Sequence, residues 1–137
     1  METTGLVIDS NVFIGYKRRR PDFIAALNYA RARYACYVTA VNVYEVMWGA
    51  HYAQQVAETM EMLSTCECLP FDKDSAETAA RIGAALTKQG RMIDVKDLFI
   101  ASICLRFRVP LLTDNVSHFA RVPSLQVFGL HDFSEAS

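Results

Sequence analysis

Leu6-Val7-Ile8-Asp9-Ser10-Asn11 is the stretch that decides how this chain of 137 residues folds. Three apolar residues run straight into an aspartate with no polar alternation. That is the pattern of a strand covered on both faces, as in a parallel sheet flanked by helices. Asp9 then stands at the strand's carboxyl end, where open α/β sheets keep their ligand crevice. Val12-Phe13-Ile14 resumes as the first turn of a helix, so the free amides of that helix start face the same place as the Asp9 carboxylate. Pro110-Leu111-Leu112-Thr113-Asp114 repeats the device late in the chain, again an apolar strand ending in an aspartate.

Between these two stretches strands and helices alternate. Pro21 suits the first position of a helix whose Phe23, Ile24, Leu27 and Ala30 share a face. Cys36 to Thr39 reads as a second strand. From Val41 to about His51 the pattern is helical, with Val41, Tyr44 and Trp48 in an apolar stripe, and a further helix runs from about Tyr52 to Leu63. Glu67 to Phe71 is an edge strand, because Pro70 would cost a central strand a ladder bond. Asp74-Ser75-Ala76-Glu77 has the form of a capping box opening a helix that Gly90 stops. Asp94 caps the next helix, which is nearly all apolar from Leu98 to Leu105. Ser117 to Arg121 is a short helix, and Leu125 to Phe128 a last strand. This alternation predicts a parallel sheet in a three-layer α/β/α arrangement, one domain over residues 1–137.

Composition agrees: 52% hydrophobic and 21% charged residues suit a folded protein with a proper core. No window approaches the roughly 18 apolar residues of a membrane span, and the N-terminus lacks a basic-then-apolar leader, so a cytoplasmic location is expected. Cys36, Cys66, Cys68 and Cys104 have neither disulfide-framework nor zinc-knuckle spacing and read as reduced, mostly buried small hydrophobes. The net charge of −1 is not that of a typical nucleic-acid binder. Setting four metal-binding carboxylates aside, however, leaves 11 acids against 14 Lys and Arg. The basic run Lys17-Arg18-Arg19-Arg20 is a candidate for contact with nucleic acid, although for any single arginine a solvated face is the more ordinary reading.

Four acids stand out. Asp9 and Asp114 end apolar strands, whereas Glu45 and Asp97 lie on helix faces otherwise apolar. A lone ionised carboxylate on such a face costs on the order of several kcal/mol, so it needs a cation, good hydrogen bonds or a proton. Taken singly, each has a plain reading as a helix-dipole or salt-bridge residue. Taken together, oxygen ligands without a His or Cys cluster suit Mg²⁺ or Mn²⁺ rather than zinc. Such a cage serves phosphodiester hydrolysis, with Ser10, Asn11 and Thr113 placed to orient water or phosphate around it. His51, His118 and His131 stand alone, and no nucleophilic triad or phosphate loop is present.

On these residues the chain resembles PIN-domain ribonucleases, specifically the toxins of VapBC-type toxin–antitoxin pairs. The marks are Val7-Ile8-Asp9-Ser10-Asn11-Val12, Glu45 followed by Gly49, Asp97-Leu98-Phe99-Ile100-Ala101, and Leu112-Thr113-Asp114-Asn115 followed by His118-Phe119. The resemblance implies a five-stranded parallel sheet in order 3-2-1-4-5. It implies metal coordination by Asp9, Glu45 and Asp97, with Asp114 as a more variable fourth acid and Thr113 as a supporting hydroxyl. It further implies Mg²⁺-dependent endonucleolytic cleavage of RNA to a 5′-phosphate and a 3′-hydroxyl, a homodimer, and an antitoxin whose tail lies over the acidic groove. The helix with Met60, Met62 and Leu63 offers a partner surface. Asp94 matches no catalytic position of the family and stays a cap. The chain departs from the family in the helix that reads Val41-Asn42-Val43-Tyr44-Glu45, where relatives often carry a serine or threonine just upstream.

Three other readings compete. The same fold could serve RNA processing without a toxin role, or bind RNA or protein without catalysis, against which the presence of all four acids argues. A receiver-type phosphoacceptor domain would use Asp72 but needs a lysine after the last strand, and Leu125 to Leu130 offers none.

Overall fold

Leu6, Val7 and Ile8 are wholly buried, and they point alternately into two separate cores. In the computed structural model, which describes residues 4–134, they form β1 (Gly5–Ile8) at the centre of the sheet. The chain continues through α1 (Ser10–Lys17), α2 (Pro21–Arg33), β2 (Ala35–Thr39), α3 (Ala40–Trp48) and α4 (Ala53–Leu63). Then come β3 (Glu67–Leu69), α5 (Lys73–Lys88), α6 (Val95–Phe107), β4 (Leu111–Leu112), α7 (Val116–Phe119), β5 (Val127–Phe128) and a 3-10 turn at Leu130–Phe133. The five strands make one sheet in the order β3-β2-β1-β4-β5, and each neighbouring pair is parallel. Parallel neighbours need crossover connections, which the helices supply. The result is the expected sheet order and layering.

Leu6 and Ile8 pack with Val12, Phe13, Leu27, Val46 and Leu63 on the face covered by α1 to α4. Val7 packs with Leu86, Ile100, Ala101, Cys104 and Phe119 on the face covered by α5 and α6. Both faces of β1 are therefore dry, which is why its sequence shows no alternation. Gly15 matters to the first core. A Cβ there would lie 2.2 Å from the ring of Phe23, which is buried between α1 and α2. Gly15→Ala is expected to cost about 1–3 kcal/mol by forcing that ring aside. A thermal melt should show it as a drop of several degrees.

The structure corrects several boundaries and placements. α5 begins at Lys73 under an Asp72 cap, rather than at a box led by Asp74. Asp72 Oδ1 accepts from both the amide and the hydroxyl of Ser75 at 2.8 Å, while Asp72 Oδ2 lies 3.3 Å from the Arg106 guanidinium of α6. Asp74 also lies 3.5 Å from Arg106, so what makes Asp72 the cap is its bond to the Ser75 amide. Leu63 belongs to the core, leaving Met60 exposed and Met62 half-buried on α4. Of the four cysteines, all free thiols, only Cys104 is buried; Cys36 and Cys66 are half-buried and Cys68 is exposed, because β3 is an edge strand. None of the described helices is long and apolar enough to cross a membrane.

Candidate active site

Asp9 follows the last residue of β1 and still belongs to its ladder, its amide donating to the Leu112 carbonyl at 2.9 Å. Its side chain, 4% exposed, caps α1 by accepting from the Ser10 amide at 2.8 Å. Oδ1 also accepts from Asn42 Nδ2 at 3.1 Å, and Oδ2 from the Thr113 hydroxyl at 2.7 Å. Burial pushes its pKa up to about 6, even though the Thr113 and Ser10 donors pull it down, and the nearby Asp97 and Glu45 carboxylates raise it further.

Asn42 is the residue that sequence reasoning missed. It is fully buried at the third position of α3. Its Oδ1 accepts from the Thr39 amide at 3.0 Å and the Thr39 hydroxyl at 2.7 Å. Its Nδ2 donates to Ser10 Oγ at 2.9 Å as well as to Asp9. Ser10 Oγ in turn donates to Glu45 Oε1 at 2.7 Å. One polar chain thus runs from the start of α3 through α1 to the second acid, with each partner satisfied. The available signal was a Thr-x-x-Asn pair at a helix start, an Asn version of the capping box.

Asp97 completes the group from the first turn of α6. Asp9, Glu45 and Asp97 line one open pocket of about 480 Å³, together with Ser10, Asn11, Tyr44, Trp48 and Lys96. Burial, with Asp94 and Glu45 adding their charge, raises Asp97 to about 6 against the pull of Lys96. Two acids lifted by burial and by neighbouring carboxylates mark a pocket that favours a cation or a proton. Among the described residues no three His, Cys, Asp or Glu side chains already stand at metal-ligand spacing. The wider arrangement fits Mg²⁺, which keeps several of its waters and takes one or two carboxylates directly.

Comparison with known proteins follows the same lines. The PIN domain family model matches residues 6–125, which include all four acids and both aspartate-ended strands. The chain belongs to the PIN-domain family. Among its relatives, the ribonuclease VapC of Rickettsia bellii is 28% identical over 90% of this chain and 94% of its own. Ribonuclease VapC3 of Methanocaldococcus jannaschii is 34% identical over 71% of this chain and 95% of its own. In fold, this PIN domain superposes on VapBC-1 from nontypeable Haemophilus influenzae with a TM-score of 0.81 at 24% identity, covering 93% of this chain and 99% of that one. VapBC2 of Rickettsia felis, solved on a DNA fragment from its promoter, gives 0.80 at 18% identity over 92% and 98%.

The remaining predicted residues of the PIN domain divide between the pocket and its surroundings. Thr113 is buried beneath Asp9, and Asn11 bridges Thr113 to Asp114 by accepting from the Asp114 amide at 3.1 Å. The Asp114 side chain is exposed and lines the adjoining cleft with Asp22 and His131, so the structure does not bring it into the pocket of the other three acids. Lys17 and Arg19 line a separate groove between α1, α2 and α4, where Lys17 Nζ donates to Thr59 Oγ1 at 2.8 Å. Arg20 rests over the Phe23 ring. The cation at the acidic pocket is instead Lys96, one residue before Asp97. Tyr44 and Trp48, expected on an inward stripe, are exposed at the pocket rim, because α3 buries Asn42 and Val46 against the sheet.

Proposed function

We propose that this PIN domain is a divalent-metal-dependent endoribonuclease, the toxin of a VapBC-type pair. The observation that carries the reading is the meeting of Asp9, Glu45 and Asp97, from β1, α3 and α6, in one pocket at the carboxyl edge of the sheet. Parallel α/β sheets bind ligands at that edge, beside the reversal of strand order. The three carboxylates would hold Mg²⁺ or Mn²⁺, while Asp114 stands outside this set, in the adjoining cleft. When bound, the ion supplies an activated water and neutralises charge on the phosphodiester. The chain's own part is positional. Asn42 and Thr113 fix Asp9, and Ser10 fixes Glu45, so the acids are held before substrate arrives.

The names of the relatives support RNA as the substrate, and the VapBC complexes support an antitoxin partner. The groove of about 680 Å³ between α1, α2 and α4, lined by Tyr16, Ile24, Arg31 and Met62, offers that partner a surface. Assembly as a homodimer belongs to the same reading. The test is cleavage of RNA with Mg²⁺ and with EDTA by the wild type and by Asp9→Asn. Cleavage by the wild type alone, abolished by EDTA, is expected; equal activity in both proteins would remove the nuclease and leave a binding module. A small DNA-binding protein encoded in the preceding reading frame should copurify with the chain and suppress cleavage. If no such frame exists, the RNA-processing role takes the place of the toxin.

A further inference from the structure

Tyr44 and Trp48 are large aromatics left in solvent, 56% and 70% exposed, one helical turn apart on α3. Their rings are stacked, with centroids 6.2 Å apart and planes inclined by 30°. Both line the pocket that holds Asp9, Glu45 and Asp97. Lys96 lines it too, its ammonium 6.0 Å from the centre of the Tyr44 ring. A flat aromatic surface, a cation and a carboxylate pocket at one rim meet three different needs. Rings stack on any unpaired base, a lysine meets phosphate, and the acids handle the bond to be cut.

We propose that Tyr44 and Trp48 form a platform on which unpaired bases next to the scissile phosphate stack, with Lys96 against an adjacent phosphate. The proposal rests on the nuclease reading and assigns the side chains that would receive the unpaired part of the RNA. Bases inside a duplex present only edges and cannot lie flat on the rings. A second copy of the chain would also cover exposed aromatics, but the carboxylates and Lys96 beside the rings are groups that a phosphodiester with its cations uses and an apolar contact does not. A polyanion bridged by cations suits that rim better than another protein surface.

Trp48 is the single tryptophan of the chain, so it reports on its own contact. The full chain in Mg²⁺ is mixed rapidly with a short unstructured RNA, or with the same sequence locked in a hairpin stem, and Trp48 emission is read before cleavage accumulates. Saturable quenching of Trp48 emission by the first and little by the second is expected. Tyr44→Ala should weaken that binding roughly tenfold, within the range of one stacking contact. Tyr44→Phe should restore it, and an unchanged thermal melt would show that the fold is intact. Absent quenching, in a protein that still cleaves RNA with Mg²⁺, overturns the platform and leaves the nuclease standing. Quenching with no cleavage under any divalent ion overturns the nuclease and leaves a base-binding surface. An emission shift that follows protein concentration without RNA assigns the face to self-association and overturns the platform.

Discussion

Asp97→Asn is expected to abolish RNA cleavage and at the same time to stabilise the metal-free protein above pH 6. The first effect should exceed about 100-fold in kcat/KM, because changing even the outer partners of metal ligands costs 10–100-fold. The second follows from linkage. Asp97 is raised from 3.8 to about 6, so between those values the folded chain binds more protons than the unfolded one. Stability therefore falls as pH rises through that window, and the penalty is complete above it. A shift of this size corresponds to about 3 kcal/mol at most, and with the side chain 19% exposed a gain of about 1–2 kcal/mol is expected from the neutral amide. Asp9, raised in the same way, gives the wild type the same slope. Melting temperatures in EDTA at pH 5 and pH 7.5 test this. The wild type should melt lower at pH 7.5, and Mg²⁺ should restore it there but hardly at pH 5. An Asp97→Asn protein less stable than wild type at pH 7.5 would make Asp97 a structural residue.

Asn42→Leu is expected to be the most damaging single change near the site that replaces no acid. It keeps the volume but strips the Thr39 amide and hydroxyl of their acceptor, and Asp9 and Ser10 of a donor. Thr39 is fully buried and Asp9 nearly so, leaving water no route to replace those bonds. Each abandoned buried group costs about 1–3 kcal/mol, so a total near 3 kcal/mol is expected after some relaxation. Denaturant titration should show the loss as a lower midpoint with an unchanged slope. Cleavage should fall about 10–100-fold, since Asp9 and Glu45 lose their common anchor through Ser10. A stable but inactive variant would place the whole effect in positioning.

Much of this was legible in the chain because the responsible physics is local. An unalternating apolar run ending in Asp is a statement about burial on both faces, and it yielded β1, the parallel sheet and Asp9 together. Asp94 and Gly90 were readable as helix ends for the same reason, and Gly90 indeed takes a positive φ of 66°. What failed were judgements that need the third dimension. The stripe of Tyr44 and Trp48 has helical spacing, yet spacing does not say which face meets the sheet; Asn42 and Val46 do. Asn42 was invisible as a site residue because an asparagine near a helix start has an ordinary capping role. Here it performs that role with one end of its amide and holds Asp9 with the other. Asp114 repeats the Asp9 pattern one strand over, but its neighbour Thr113 takes the inward place and turns it toward another cleft.

The bond from Thr113 to Asp9 spans 104 residues of sequence, and β1 gains one of its two flanking strands only at Leu111–Leu112. On a translating ribosome the first strand must wait with that side open until most of the message has been read. On the nuclease reading, a growing chain therefore carries no finished centre until its late strands are in place.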